Sequence, residues 1–204
     1  MKGEILVRPA TREDLDDLVR VENEAWPPEQ AFTRAHFESQ LRVFPEGVLI
    51  AEINGKIVGV MVVQILKYDL QRPVHTWYGA TDDGFLERTH NPAGNALYIV
   101  SVGVSSIFQK QGVGSSLVKA VIGLMEKFNL DYCVAGARVP EYHRYYSIPI
   151  EKYITLDLDW QLRFYKKCGF EVQQVLPRYF HDPESLDYGV LVVYQNKNKR
   201  GKYL

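Results

Sequence analysis

Apolar positions recur along this chain in two rhythms, every second residue and every third or fourth, and their alternation predicts strands and helices in turn. Glu4–Arg8 reads as a short strand. Thr11 with Asp14 three positions on has the logic of a capping box, and Leu15, Leu18, Val19, Glu22 and Ala25 then follow at helical spacing up to Trp26. Pro27-Pro28 stops that helix. A second short helix is predicted from about Thr33 to Arg42, closed by Pro45. Val48–Ile53 and Lys56–Val63 flank Asn54-Gly55, the two-residue loop that favours a type I′ turn, and so predict a hairpin.

Periodicity disappears from Tyr68 to about Asn95, where Asp82-Asp83-Gly84, His90-Asn91-Pro92 and Gly94-Asn95 are turn chemistry. A stretch this long without structure is unusual in a compact domain and is often functional or mobile. Ala96–Val104 returns to a β-branched strand, and Gly112–Phe128 carries the strongest helical stripe, through Val113, Leu117, Val121, Leu124 and Phe128. Tyr132–Val139 reads as a buried strand, followed by an irregular aromatic segment from Pro140 to about Ile154. A helix from about Leu156 to Lys167 ends at Gly169, and Phe170–Leu176 and Tyr188–Gln195 are the last strands. The order β-α-α-β-β-β-α-β-α-β-β describes one α/β domain on a mixed sheet over residues 1–195, with a short basic tail at 196–204.

Composition narrows this little. The 204 residues are 46% hydrophobic and 24% charged with a net charge of −1, ordinary for a soluble domain with its own core. Neither nucleic acid nor an anionic membrane is an expected partner. Cys133 and Cys168 make no disulfide framework or metal-ligand spacing, so no metal is expected. Met1-Lys2-Gly3-Glu4 leads into a strand rather than a signal-peptide core, and no run approaches the roughly 18 apolar residues of a membrane span. A cytoplasmic location is the resulting expectation.

The most informative segment is Val104-Ser105-Ser106-Ile107-Phe108-Gln109-Lys110-Gln111-Gly112-Val113-Gly114, which leaves a strand and enters a helix through a glycine-punctuated turn. Such a turn aims several backbone N–H groups at one spot on the positive end of a helix, a site for phosphate. The Gly-x-x-x-x-Gly-Lys-Ser/Thr loop and the Gly-x-Gly-x-x-Gly fingerprint are both absent. Gln109-x-x-Gly112-x-Gly114 resembles the Gln/Arg-x-x-Gly-x-Gly/Ala motif of the GNAT superfamily of acyl-CoA N-acyltransferases. Tyr165-Lys166-Lys167-Cys168-Gly169-Phe170 resembles that superfamily's Tyr-x-x-x-Gly-Phe signature, and Val7-Arg8-Pro9-Ala10-Thr11 with Glu13-Asp14-Leu15 resembles its opening. The resemblance covers nearly the whole chain and implies a mixed, mostly antiparallel sheet of about seven strands flanked by about four helices.

It also implies a reaction, the transfer of acetyl from acetyl-CoA to a primary amine by direct transfer in a ternary complex. Val102, Gly103 and Val104 would pair with the pantetheine arm of coenzyme A, and Gln109, Lys110, Gln111, Gly112, Val113, Gly114 and Ser115 would hold its pyrophosphate. A strand N–H near Val104 would stabilise the oxyanion. Tyr165 is the candidate that protonates the departing thiolate, against a plain role as a core aromatic beside Phe164 and Phe170. Asn95–Val104 contains no acid where many members of the superfamily carry a glutamate, so the base stays open among Glu141, His143, His90, Asp82 and water. Leu158 stands where many members carry an asparagine, a second departure. A non-catalytic acyl-CoA-binding sensor is the alternative function.

Trp77–Tyr98, Gly136–His143 and Pro183–Gly189 resemble segments of the acetyltransferase domains found ahead of nitrilase-type hydrolases in bacteria. Their positions suggest an acceptor pocket with His90, Tyr98, Glu141 and His143 as substrate residues, or a structural insertion on the sheet edge. The expected partner is a small-molecule or protein amine, with a homodimer left open.

Overall fold

The structure is a computed structural model and describes residues 3–199. Seven strands form one sheet in the order β1-β2-β3-β4-β5-β7-β6: β1 Ile5–Pro9, β2 Val48–Ile53, β3 Lys56–Leu66, β4 Ala96–Val104, β5 Tyr132–Arg138, β6 Glu171–Leu176 and β7 Gly189–Gln195. All neighbouring pairs are antiparallel except β4 with β5. Helices α1 Leu15–Ala25 and α2 Arg34–Val43 cover one face through Leu18, Val21 and Phe37. Helices α4 Val113–Lys127 and α6 Trp160–Lys167 cover the other through Leu117, Val121, Leu162 and Tyr165. With both faces covered, β3 is buried at every position after Lys56, which is why it reads as a continuous apolar run rather than an alternation.

The hairpin turn is as expected: Asn54 and Gly55 have φ of 51° and 75°, the paired positive values of a type I′ turn. Three expectations need correction. The stretch between β3 and β4 contains a short helix, α3 Trp77–Thr81, capped by the Thr76 hydroxyl accepting from Gly79 N at 3.1 Å. Five residues are too few to show a period. The helix expected from Leu156 starts instead at Trp160, because the Asp159 carboxylate accepts from Gln161 N at 2.8 Å and Leu162 N at 3.2 Å and so fixes the first turn. A further short helix, α5 Ile150–Tyr153, lies within the irregular aromatic segment.

The residues after β7 begin packed rather than solvated. Asn196 is buried and donates to Leu130 O at 2.8 Å, and Lys199 pairs with Asp131. Residues 200–204, with the rest of the Lys197–Lys202 cluster, lie outside the described residues. Among the described residues no helix is long and apolar enough to cross a membrane.

Candidate active site

Strands β4 and β5 pair in parallel only from Ala96–Tyr132 to Ile99–Ala135, and beyond that point they separate. The cause lies on the other edge of β4. Val62 of β3 faces Ser101 while Val63 faces Ile99, so Val100 is an extra residue, a bulge that bends β4 away. The bulge frees the Val100 carbonyl, and the Trp77 indole donates to it at 2.9 Å. On the opposing strand Gly136 leaves room for the Tyr179 ring, since a Cβ there would lie 2.1 Å from it. The wedge therefore opens between Ser101–Val104 and the end of β5, with aromatic rings at its floor.

Downstream of the open edge the chain enters the loop singled out above. Ser106–Phe108 is one turn of 3-10 helix, after which Lys110 and Gly112 take φ of 58° and 99°. Gly112 caps α4, and the first backbone donor of that helix is Ser116, to Gly112 O at 2.9 Å. Among the described residues no backbone N–H from Lys110 to Ser115 makes a well-formed backbone hydrogen bond within the chain. These donors and the positive end of a 15-residue helix make a cradle for an anion. The Gln109 and Gln111 amides turn back to Val104 O at 3.2 Å and Ile107 O at 2.9 Å, so they shape the loop rather than extend from it.

Helix α6 presents Tyr165 to the same wedge, and its last turn explains the Tyr-x-x-x-Gly-Phe spacing. Phe170 N donates to Tyr165 O at 3.1 Å and Gly169 N to Lys166 O at 2.9 Å, with Gly169 at φ 90° and the Phe170 and Tyr165 rings 5.3 Å apart. This is a Schellman motif with its apolar contact, which requires a glycine and a large apolar residue at those places. Tyr165 is buried, lines the wedge, and has its phenol pushed well above the ordinary value by burial, so it stays protonated at neutral pH.

The floor and acceptor side of the wedge come from segments far apart in sequence. Trp26 and Gln30 reach it from the end of α1, Trp77 from α3, Arg138 from β5, and Tyr179 and Phe180 from the β6–β7 connection. The Arg138 guanidinium lies over the Trp26 ring at 5.2 Å and is forked onto Asp182 at 2.7 and 2.9 Å, with Glu184 at 3.0 Å. Val139 N donates to the Ser185 hydroxyl at 3.0 Å and His143 N to Glu184 O at 3.0 Å. Two of the three segments singled out in the sequence, Gly136–His143 and Pro183–Gly189, are thus bonded to each other. The third is tied in by Trp77 N to Tyr179 O at 2.8 Å.

The individual substrate candidates are placed less centrally. Tyr98 is fully buried, its hydroxyl bonded to that of Tyr179, so it stands one layer behind the wedge. His90 stacks on Phe44 at 4.7 Å and accepts from Ile65 N at 3.3 Å, beside the paired end of β4 rather than the open one. Glu141 is paired with Arg144 at 2.9 Å, and His143 Nδ1 lies 2.9 Å from Pro140 O and 3.1 Å from Glu184 O. Asp82 is held below the ordinary carboxylate range by Arg88, which makes it a weak base. None of these five residues lines the wedge. Leu158 lies in the turn ahead of α6.

The residue that the sequence reading passed over is Glu22. It is 1% exposed, and its Oε1 accepts from Phe32 N at 3.3 Å. Its Oε2 has no hydrogen-bond partner, and neither do Trp26 Nε1 and Gln30 Oε1 on the same side of the chain. Burial pushes the carboxyl up to about 7, with the Phe32 N–H and the neighbouring Ser101 hydroxyl pulling it partly back. The Ser101 contact falls short of a well-formed hydrogen bond, so Oε2 keeps its acceptor capacity. The signal was in the sequence: an acid on the apolar stripe of α1.

The chain matches the Acetyltransferase (GNAT) family over residues 12–147. It is 33% identical over 202 residues to YkwB, an uncharacterized N-acetyltransferase of Bacillus subtilis (strain 168), covering 94% of this chain and 89% of that one. It is 29% identical over 199 residues to the probable hydrolase YhcX of the same strain, spanning 94% of this chain but 39% of that protein. Among solved structures, the GphF GNAT-like decarboxylase in complex with isobutyryl-CoA superposes with a TM-score of 0.80 at 22% identity, over 93% of this chain and 98% of that one. The sheet order, the β4–β5 wedge and the sequence match agree, and the chain belongs to the GNAT family of acetyltransferases.

Proposed function

We propose that this chain transfers an acetyl group from acetyl-CoA to a primary amine, directly and within a ternary complex. The observation that carries this reading is the continuity of the unpaired β4 edge with the N–H cradle at Lys110–Ser115. A strand edge offers alternating donors and acceptors to the pantetheine amides along Val102–Val104, as in strand addition. The cradle then meets the pyrophosphate at Gln109–Ser115. The fit rests on N–H groups without a well-formed backbone hydrogen bond among the described residues and on Gly112 at positive φ, which brings those groups to the surface.

Tyr165 supplies the proton that the coenzyme A sulfur takes as the carbon–sulfur bond breaks. A buried, neutral phenol on the wedge wall suits that task. The charges around the wedge favour an amine over an anionic acceptor. Arg138 has its fork occupied by Asp182 and Glu184, so no free guanidinium remains there to clamp a substrate carboxylate. The unpartnered Trp26 donor and Gln30 acceptor would meet polar groups next to the amine, on a small molecule or a protein.

Titration of acetyl-CoA into the protein, followed by a screen of primary amines for thiol release, tests the reading. Binding with turnover on at least one amine supports it. Binding without turnover on any of them supports the sensor instead.

A further inference from the structure

Resting on the transferase reading, we propose that Ser101 and Glu22 form the proton relay that deprotonates the acceptor amine. Three observations place them. Ser101 lines the wedge at the first position beyond the β4 bulge, paired with β3 but not with β5. Glu22 stands directly behind it on α1, with Oε2 lacking a partner and Phe32 N holding Oε1. Gly103 gives that oxygen room, since a Cβ there would lie 3.3 Å from Oε2. A buried carboxyl with an idle oxygen is costly, and an incoming proton removes the cost.

Among the described residues nothing charged is placed against this carboxyl. The groups placed against it are Ser101 and Gly103 from β4 and the Phe32 N–H from the loop before α2. On its own helix Glu24 is engaged by Ser105 and Arg20, and Arg20 by Asp17 as well. Burial alone raises its proton affinity, to a value matched to catalysis near neutrality.

The step balances as follows. An ammonium proton passes to Ser101 Oγ as the Ser101 hydroxyl proton passes to Glu22 Oε2, and this proton later leaves to solvent. The freed nitrogen lone pair forms the carbon–nitrogen bond. As the carbon–sulfur bond breaks, its electron pair leaves on sulfur, which takes the Tyr165 proton. The second nitrogen proton restores the phenol through solvent.

The test uses the full chain, acetyl-CoA and aliphatic primary amines whose own pKa is about 10. Below about pH 7 the wild type should show log(kcat/KM) rising with slope 1 as Glu22 ionises, and levelling off above it, because the carboxylate takes its proton from the ammonium form. Glu22→Gln, which keeps the shape and the Phe32 contact, should lose about 100-fold or more at pH 8 and show slope 1 throughout, with acetyl-CoA affinity unchanged. Ser101→Ala should fall likewise. Wild-type rates and profile in Glu22→Gln would overturn the relay while leaving the transferase standing, and so would full activity in Ser101→Ala. Absence of turnover by the wild type on every amine would remove the transferase reading and the relay with it.

Discussion

A Cβ on Gly103 would stand 3.1 Å from the Cβ of Ala25 and 3.3 Å from Glu22 Oε2. Helix α1 thus lies against β4 at the point where the strand is to meet coenzyme A, and the glycine sets that closeness. Gly103→Ala is expected to push α1 outward and cost about 1–3 kcal/mol, as overpacking does. Denaturant melts would read that loss, and acetyl-CoA titration would read a weaker complex. An unchanged midpoint would mean that α1 yields without cost.

Glu22 makes stability depend on pH. Its carboxyl sits at about 7 in the fold against an ordinary 4.5, so the folded chain holds this proton more tightly than the unfolded one. That contribution is complete below about pH 4.5 and is lost as pH rises through about 7. Glu22→Gln, which cannot ionise, should therefore be more stable than the wild type at about pH 8, by up to roughly 3 kcal/mol, and nearly equal to it below pH 5. Thermal melts at the two pH values measure the difference. Equal melting at both would show that the carboxyl titrates normally.

Gly112 carries the cradle. Its φ of 99° is strained for any residue with a Cβ, although the nearest obstacle, Ile5 Cδ1, is 3.7 Å away. Gly112→Ala is expected to weaken acetyl-CoA binding about tenfold through backbone rearrangement rather than collision. S-acetylpantetheine, which lacks the pyrophosphate, should bind both proteins alike. Calorimetry with the two ligands separates a cradle defect from a general loss of fold.

Tyr165→Phe removes a proton and leaves the ring that packs on Phe170. Turnover should fall by about 100-fold while acetyl-CoA affinity holds. Single-turnover rates alongside binding constants check this, and equal turnover would return Tyr165 to a packing role.

Local chemistry made the frame legible, together with the loop on which the proposed donor side rests. Asn54-Gly55, Asp14 after Thr11, and Gly169-Phe170 act within a few residues, and each forms the turn or cap its spacing predicts. The acceptor side depends on pairings that spacing cannot reveal. Arg138 and Asp182 are 44 positions apart, and Trp77 meets Val100 across a stretch with no period. Glu22 was visible but ambiguous, because an acid within a helical stripe reads equally as a stripe edge. The Asp159 cap lies inside the span that spacing predicts as helix, Leu156 to Lys167, so its role as the start signal emerges only from its bonds to Gln161 N and Leu162 N.

The central claim is acetyl transfer to an amine at the β4–β5 wedge. The most direct measurement follows free thiol and acetylated amine together after the protein, acetyl-CoA and a panel of primary amines are mixed. The account predicts that the two products appear in equal amounts with at least one amine and that Tyr165→Phe slows both. Tight acetyl-CoA binding with no acetylated product from any amine would contradict it.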